Sequence, residues 1–501
     1  MVSMKRSSGV LLSISSLPGP YGVGVLGAAA RNWIDRLADM GFHWWQVLPI
    51  VPAGKGHSPY AGVSAFAGDP VYIDPEQLHE RGLLTREELD ACRWQGDPNR
   101  VAFEFAKESR LAALRRAFVR AEGIDTMLEG FARENPWALD YARFMAIKDA
   151  QKGISWTLWP QELRRIDSAA VREMLGRLSK EVDFWLFVQY EFRRQWFELR
   201  TYAGMRGVQI VGDLPIYVSA DSADVWANPD VFMLGEDGCP SKVAGVPPDF
   251  FSADGQLWGN PLYDWDACAR DGYAWWVERL RQAGKLYDLT RIDHFRGFSA
   301  FWAVDASAET ARDGQWMQGP GQSLFDAVER ELPGLRLFAE DLGDCDDAVR
   351  KLLRDTGIPG TRVLEFGFGG GWDSIHVPHN YPENCVAYTG THDNNTLLGW
   401  LYEIPEWERG RALRYCGWAG SDWGEGGGHS ASCRSLIETL WKSGAGLTVL
   451  PLQDMCGFGR DTRMNTPGTP EGNWSFRATV ETLDSVDAGY FREINEMYGR
   501  N

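Results

Sequence analysis

The sequence has few features that would suit a metal, a redox partner, a membrane or a nucleic acid. Its eight cysteines include no C-x-x-C pair, so neither a zinc site nor a redox dithiol is indicated and we expect reduced thiols. No apolar run approaches the length of a membrane span, and no signal-peptide cleavage site follows Lys5 and Arg6. We therefore expect a cytoplasmic protein with no membrane partner.

Positive charge is also scarce. Lys and Arg number 51 against 69 Asp and Glu, which gives a net charge of −18. Long-range repulsion opposes binding to a phosphate backbone, so we expect no nucleic-acid partner. A neutral ligand meets no such barrier.

What the chain has in quantity is aromatic residues, which make up 13% of it. Several lie in Gly-rich and Pro-rich stretches rather than in apolar periodic segments, where exposed rings would suit the flat faces of sugars. The alternative for any one of them is ordinary packing. Hydrophobic residues make up 44% and charged residues 24%, which is typical of a globular protein with a sizeable core.

Short apolar runs recur along the chain, and most end in a polar or acidic cluster. Runs of this length without clean alternation are typical of parallel strands covered on both faces. Helical periodicity lies between them, as at Trp33, Leu37 and Met40 or in 322–332. Eight strands with intervening helices predict an α/β fold, a (β/α)8 TIM barrel. The eight runs are 9–18, 44–50, 208–218, 287–298, 335–343, 361–368, 385–393 and 446–455.

Two segments are much longer than ordinary barrel connections. The segment 51–205, between the second and third strands, predicts a helical insertion, and 219–286 predicts a second insertion that carries a Gly/Pro-rich active-site loop at 245–261. After the last strand about 45 residues remain, too few for a C-terminal β domain. We expect 1–501 to form a single catalytic domain with large helical and loop insertions.

Five acidic residues lie at or just beyond predicted strand ends. Because catalytic groups of a parallel barrel sit where strands end, one mouth would gather all five. A single acid in such a position is often a helix N-cap, and that alternative stays open for each. The five are Asp213, Asp293, Glu340, Asp393 and Asp454.

Three of these acids have sequence neighbours that suggest a role. Arg291 lies two residues before Asp293, so the strand pleat places both on one face and the guanidinium keeps the carboxylate ionised, as a nucleophile requires. Glu340 follows the apolar LFA, where a carboxyl retains its proton and can serve as a general acid; a structural ion pair is the alternative. His392 and Asp393 suit the hydroxyls of one sugar ring. A metal is the competing interpretation, but no third ligand lies at standard spacing.

If Asp293 attacks an anomeric carbon while Glu340 protonates the leaving oxygen, a covalent glycosyl-enzyme forms with net retention. That chemistry requires a carboxyl separation of roughly 5 to 5.5 Å. Aromatic and apolar residues of the second insertion would exclude water and stack on an acceptor sugar, unless this loop only packs on the barrel. They are Phe250, Phe251, Leu257 and Trp258.

One motif suggests a different function. Gly22, Gly24 and Gly27 follow a strand with the spacing of a dinucleotide-binding fingerprint. However, Pro18 and Pro20 lengthen the turn before them, and the next strand ends without an acidic residue for a ribose. We do not expect a nucleotide.

At these residues the chain resembles the amylomaltases, the 4-α-glucanotransferases or disproportionating enzymes of glycoside hydrolase family 77. The matching blocks occur in order through most of the chain. They are SSLPGPYGVG near the start, SPYAGVSAFAGDP at 58–70, GDLPIYV at 212–218, GVPPDFFSADGQLWGNP at 245–261, RIDHFRGF at 291–298, AEDLG at 339–343, GTHDNNT at 390–396 and NTPGTPEGNW at 465–474.

The resemblance implies an enzyme that transfers segments of α-1,4-glucans and maltooligosaccharides with no metal and no organic cofactor. It implies that Asp293 is the nucleophile, Glu340 the general acid/base and Asp393 the transition-state stabiliser. An α-glucan hydrolase with the same acids is the alternative, and a glucan-binding protein without activity is a third hypothesis. The implied substrate contacts are Tyr60, Asp213, Asp249, Phe251, Gln256, Trp258, Arg291, His294, His392 and Asn465.

Overall fold

The computed structural model describes residues 5–235, 237–248, 253–343, 345–469 and 471–501. Eight parallel strands form a nearly closed barrel in the order β10-β11-β12-β1-β2-β3-β6-β9. Two hydrogen bonds of 2.8 Å join the two end strands, from Ala339 N–H to the Pro359 carbonyl and from Thr361 Oγ1 to the Ala339 carbonyl. The barrel strands are β1 (Ser7–Leu11), β2 (Trp44–Gln46), β3 (Gln209–Pro215), β6 (Leu289–Asp293), β9 (Leu337–Ala339), β10 (Gly360–Val363), β11 (Cys385–Tyr388) and β12 (Leu447–Pro451).

The predicted TIM barrel is confirmed, and each predicted apolar run overlaps a barrel strand. Nearly every residue of these strands is buried, since helices cover the outer face and side chains fill the interior. The periodic residues Trp33 and Leu37 are fully buried in α1, as expected for a helix against the barrel. The segment after β12 contains helices and, within its described residues, no strand.

The helices vary in length from 4 to 27 residues. Seven of those in the described residues, α2 to α8, lie between β2 and β3, where a helical insertion is predicted. We keep the boundaries 51–205 and 219–286 as predictions. The helices are α1 (Ala28–Asp39), α2 (Pro75–Glu80), α3 (Arg86–Asp90), α4 (Phe103–Arg120), α5 (Asp125–Glu134), α6 (Pro136–Ala150), α7 (Ala169–Arg177), α8 (Ser179–Met205), α9 (Ala223–Ala227), α10 (Trp265–Arg270), α11 (Ala274–Leu286), α12 (Gln322–Glu331), α13 (Asp347–Thr356), α14 (Leu397–Glu403), α15 (Glu406–Tyr415), α16 (Ala431–Lys442), α17 (Leu452–Met455), α18 (Val480–Asp484) and α19 (Ala488–Met497).

The connection from β10 to β11 departs from the predicted alternation of strand and helix. It contains two 3-10 segments, Leu364–Gly367 and Pro378–Asn380, and no α-helix in 364–384, a stretch that the structure describes throughout. The sequence GFGGG at 367–371 explains the difference, because glycine is a poor helix former.

A second, antiparallel sheet was not predicted from the sequence. Its order is β5-β4-β7-β8, built from two different barrel connections. β4 and β5 belong to the predicted second insertion, so the predicted loop at 245–261 is partly strand, whereas β7 and β8 follow β6. The strands are β4 (Lys242–Val246), β5 (Gln256–Pro261), β7 (Ala300–Asp305) and β8 (Gln315–Gln318).

The glycines of the nucleotide-like motif serve packing. A β-carbon on Gly24 would lie 1.8 Å from the Ile14 carbonyl oxygen, and one on Gly27 would lie 2.1 Å from Asp74 Oδ2. The Asp74 carboxylate thus occupies the N-terminal end of α1, where a pyrophosphate would have to bind.

Candidate active site

Arg291 lies at the centre of the acidic barrel mouth. Its Nη1 atom donates to both oxygens of Asp213, at 2.8 and 2.9 Å, and lies 2.9 Å from Asp293 Oδ1. Arg291 and Asp213 are buried, whereas 25% of the Asp293 side chain is exposed. The predicted placement of Arg291 and Asp293 on one face is confirmed, and one carboxylate oxygen of Asp293 contacts the guanidinium.

Glu340 is held beside Asp293 by backbone groups. It directly follows β9, and its N–H donates to the Ile292 carbonyl at 2.9 Å. Its Oε2 accepts from the His294 N–H at 2.7 Å and its Oε1 from the Leu342 N–H at 2.9 Å. His294 has left-handed backbone angles, φ 54° and ψ 48°, which turn its N–H toward Glu340. These partners fix the carboxyl in place, and the structural ion pair considered for Glu340 is not what holds it.

The pKa values of Asp293 and Glu340 are both raised. Burial raises the pKa of Asp293; Arg291 opposes this effect, and the carboxylates of Asp213, Glu340 and Asp393 add to it. Burial also raises the pKa of Glu340, while Arg291 and the two backbone donors lower it. Because each carboxyl disfavours ionisation of the other, the pair retains one proton above the pH at which a free carboxyl ionises.

Asp393 faces the mouth from the segment that follows β11. Its Oδ1 accepts from Asn465 Nδ2 at 2.6 Å and lies 3.4 Å from His392 Nε2. Arg463 Nη2 donates to the Asp393 carbonyl at 2.6 Å, and the Asp393 N–H donates to Thr391 Oγ1 at 3.3 Å. Main chain and side chain are therefore both fixed, while 42% of the side chain remains exposed to the cleft.

Three rings form an aromatic wall beside Asp393. Tyr60 is stacked on His392, with ring centroids 5.1 Å apart, and Trp474 lies 5.7 Å from Tyr60 and 5.9 Å from His392. The Tyr60 hydroxyl donates to Asp213 Oδ2 at 2.6 Å, which connects the wall to Arg291. Burial lowers the pKa of His392, so its imidazole is neutral at neutral pH.

The second sheet contributes the opposite side of the mouth. Trp258, on β5, meets the His294 ring edge to face at 4.8 Å, and its Nε1 donates to Gln256 Oε1 at 3.2 Å. Tyr217 lies 6.2 Å from Trp258 and 6.4 Å from His294. Burial lowers the pKa of His294 to about 3, so it too is a neutral ring.

Several predicted site residues are placed differently or not at all. Asp249 and Phe251 lie outside the described residues. Asp213 is in the mouth, but its side chain has no exposed surface. Asp454 is buried apart from this group, with Oδ1 accepting from the Leu397 N–H at 2.7 Å and Oδ2 from Thr389 Oγ1 at 2.5 Å. The expectation that Asp454 joins the acidic mouth is therefore wrong, because it satisfies the first N–H of α14 instead.

Trp474, Arg463 and Tyr217 belong to the site but were not predicted as site residues. Trp474 closes the block NTPGTPEGNW, and Tyr217 lies in GDLPIYV, so both were within recognised motifs. No sequence feature identified Arg463 as a site residue, because its side chain binds a main-chain carbonyl. Within the part of the chain that the structure describes, no three His, Cys, Asp or Glu side chains come together as metal ligands would, and no helix is long and apolar enough to cross a membrane.

Comparison with known proteins agrees with this geometry. The 4-alpha-glucanotransferase model of glycoside hydrolase family 77 matches residues 12–482. The 4-alpha-glucanotransferase of Thermus thermophilus is 43% identical over the whole of both chains, and that of Clostridium butyricum is 38% identical over 98% of this chain and all of the relative. The structure of the amylomaltase from Streptococcus agalactiae in complex with acarbose superposes with a TM-score of 0.95, at 37% identity over 99% of this chain and 100% of that chain. The chain therefore belongs to the 4-α-glucanotransferases, glycoside hydrolase family 77.

Proposed function

We propose that this enzyme transfers α-1,4-glucan segments from a donor maltooligosaccharide to the 4-hydroxyl of an acceptor glucan or glucose. The observation that carries the proposal is the placement of Asp293 and Glu340 side by side around Arg291, with Asp393 across the mouth. The family membership and the acarbose bound by the streptococcal relative support an α-glucan as the substrate class.

In the first step the ionised Asp293 attacks the anomeric carbon of the donor. The bond from that carbon to the glycosidic oxygen breaks, its electron pair stays on the oxygen, and Glu340 supplies the proton. The contact between Arg291 and Asp293 favours the ionised form of Asp293, and the proposed step requires the proton of the pair to be on Glu340. The product is a covalent glycosyl-enzyme with inverted configuration.

In the second step Glu340 is a carboxylate and accepts the proton of the acceptor hydroxyl. The acceptor oxygen bonds to the anomeric carbon and the ester to Asp293 breaks. Two inversions give net retention. Asp393, with Asn465 and the neutral His392, is placed to bind the hydroxyls of the reacting sugar as its ring becomes planar and positive.

Rings on both sides of the mouth favour an acceptor sugar over water. Trp258 and His294 form one side, and Tyr60 and Trp474 the other. Flat apolar rings stack on sugar faces and occupy the volume that water would fill. Residues Asp249 and Phe251 are proposed to contribute here from their sequence alone.

We also propose that the enzyme acts in the cytoplasm. All eight cysteines lie in the described residues as free thiols, which suits a reducing compartment. Cell fractionation with an antibody to the protein tests this proposal.

Incubation with maltotriose tests the activity. Transfer gives glucose together with maltooligosaccharides longer than the substrate. Maltose and glucose without longer products would instead identify an α-glucan hydrolase. Asp293→Asn is expected to lower turnover by at least about a thousandfold, whereas Asp326→Asn, a matched change on the exposed face of α12, should have no effect.

The covalent intermediate is testable with Glu340→Gln and maltosyl fluoride. Fluoride leaves without a proton, so the first step proceeds, but the variant lacks the base for the second. The glycosyl-enzyme should accumulate, and mass spectrometry should find the added sugar on the peptide that contains Asp293. A sugar on another peptide, or inverted products from the wild type, would refute the mechanism.

A further inference from the structure

One buried carboxyl beside the mouth has no part in the reaction described above. Glu365 lies two residues beyond the end of β10 and is only 4% exposed. Its N–H donates to the Thr389 carbonyl at 3.2 Å, which places it against the segment that leads from β11 to Asp393. Among the described residues its Oε1 atom, although buried, has no hydrogen-bond partner.

The Glu365 carboxyl packs against the backbone of Gly390. A β-carbon added to Gly390 would lie 2.8 Å from Glu365 Oε1 and 3.1 Å from the Asn394 β-carbon. Any side chain at position 390 would have to displace one of them. The Glu365 carboxyl therefore fills the space that a side chain at position 390 would need.

Charged side chains hold the same segment at other points. Asp454 accepts from Thr389 Oγ1, Glu403 accepts from Asn395 Nδ2 at 2.7 Å, and Arg463 donates to the Asp393 carbonyl. Segment 389–396 is thus fixed before, at and after Asp393. Glu365 contacts the segment at Gly390, which has no side chain of its own to make such a bond.

We propose that Glu365 is a positioning residue for Asp393: its buried carboxyl sets the path of the backbone at Gly390 and so holds Asp393 where the reacting sugar must bind. The inference rests on the proposed role of Asp393 in stabilising the transition state. A displacement of about 1 Å in such a group lowers turnover by up to a hundredfold.

Glu365 performs this role as an uncharged acid. Burial raises its pKa well above the ordinary value, Asp454 raises it further, Arg463 lowers it, and Glu403 raises it. An ionised Glu365 would add another negative charge to a region where Arg463 is already bound to a carbonyl. The amide of glutamine has the same shape and no charge, so it should replace the acid.

Kinetics with maltotriose test the positioning role. Glu365→Gln should keep kcat within about twofold of the wild type, whereas Glu365→Ala should lower kcat at least about tenfold with little change in KM. Asp74→Asn is the matched control, because Asp74 is another buried carboxyl whose pKa burial raises, and it caps α2. That variant should alter stability and leave kcat unchanged. The proposal is overturned if Glu365→Ala has the kcat of the wild type. It is also overturned if Glu365→Gln loses as much kcat as Glu365→Ala.

A double-mutant cycle keeps the proposal testable if Glu365→Ala folds poorly. Gly390→Ala should lower kcat because its methyl group displaces the segment. Adding Glu365→Ala should restore part of the lost activity by making room for that methyl group. If the effects of the two substitutions on kcat are strictly additive, the contact between Glu365 and Gly390 is not the cause of the loss.

Stability measurements separate this inference from the proposed function. Above the ordinary Glu pKa of 4.5 the unfolded chain has released a proton that folded Glu365 still binds, so the contribution of Glu365 to wild-type stability falls with rising pH. The unfolding constants of the wild type and Glu365→Gln should therefore diverge by up to tenfold per pH unit. If the difference in unfolding free energy between the two proteins does not change with pH, Glu365 is not an uncharged acid. If the wild type forms no products longer than maltotriose, only the proposed function is refuted.

Discussion

At the scale of single residues, Asp213 illustrates how a group can serve the site without touching substrate. The sequence predicts it as a glucan contact, but its side chain has no exposed surface and its oxygens bind Arg291 and Tyr60. We now propose that it acts through Arg291, by fixing the guanidinium that binds Asp293.

Asp213→Asn should therefore change the pH dependence of turnover. The charge of Asp213 raises the pKa of Asp293, so its removal lowers that pKa. Asp293 then ionises at lower pH, and the acid limb of kcat/KM should shift downward while kcat falls about tenfold or more.

Tyr60→Phe is the control for that variant. It removes the 2.6 Å hydrogen bond to Asp213 but leaves the charge. Its acid limb should stay where it is in the wild type. Both variants are measured over the same pH series. If the acid limb of kcat/KM shifts equally in both, its pH depends on the hydrogen bond to Asp213 and not on the charge of Asp213.

At the scale of elements, the antiparallel sheet β5-β4-β7-β8 decides how the mouth is covered. β5 presents Trp258 to His294, and adjacent residues of a strand point to opposite sides. Leu257, which the sequence places over the mouth with Trp258, therefore points away from His294. The two side chains are exposed to the same extent, 37% each.

This arrangement gives a matched pair of substitutions. Trp258→Ala should lower kcat/KM for transfer about tenfold and raise the ratio of hydrolysis to transfer severalfold, because water gains access to the glycosyl-enzyme. Leu257→Ala should leave that ratio near the wild-type value. The ratio is measured from reducing ends released against glucose transferred, and an unchanged ratio in the tryptophan variant would remove Trp258 from the water-excluding role.

Element prediction succeeded for the barrel strands, which are covered on both faces, and failed for the strands of the second sheet. VQIVGDLPIYV and GLTVLPLQDM each contain an apolar run that only a covered strand needs. In contrast, QLWGNP of β5 and QWMQ of β8 are largely exposed edge strands, and the pairing of β4 with β7, which joins the two halves of this sheet, connects distant parts of the chain. Such pairing leaves no periodic pattern in either strand alone.

At the scale of the whole molecule, the last residues join the barrel at the end opposite to the mouth. Arg500 is fully buried and donates to the carbonyls of Ser7, Trp441, Ser443 and Ala445, which lie next to the amino ends of β1 and β12. The sequence predicts that this remainder is too short for a domain. In the fold, this C-terminal segment links the first barrel strand, β1, to the last, β12, through Arg500.

Arg500→Ala should lower the free energy of unfolding by about 2–4 kcal/mol, because it removes four buried hydrogen bonds to main-chain carbonyls. Turnover of folded protein should not change, since the proposed active site lies at the other end of the barrel. Arg492→Ala, which removes one exposed hydrogen bond from α19 to the Asp39 carbonyl, should cost less than about 1 kcal/mol. Urea unfolding measures both; equal losses, or a changed KM in Arg500→Ala, would contradict the assignment.

The sequence by itself determined the barrel and the candidate catalytic acids, because apolar runs, strand-end acids and the spacing of Arg291 and Asp293 are local features of the chain. Only the tertiary structure decided which acids share the mouth, that Asp454 is excluded from it, and that Trp474 and Glu365 adjoin the Asp393 segment. These facts depend on contacts between residues that are far apart in sequence, and no local pattern records such contacts.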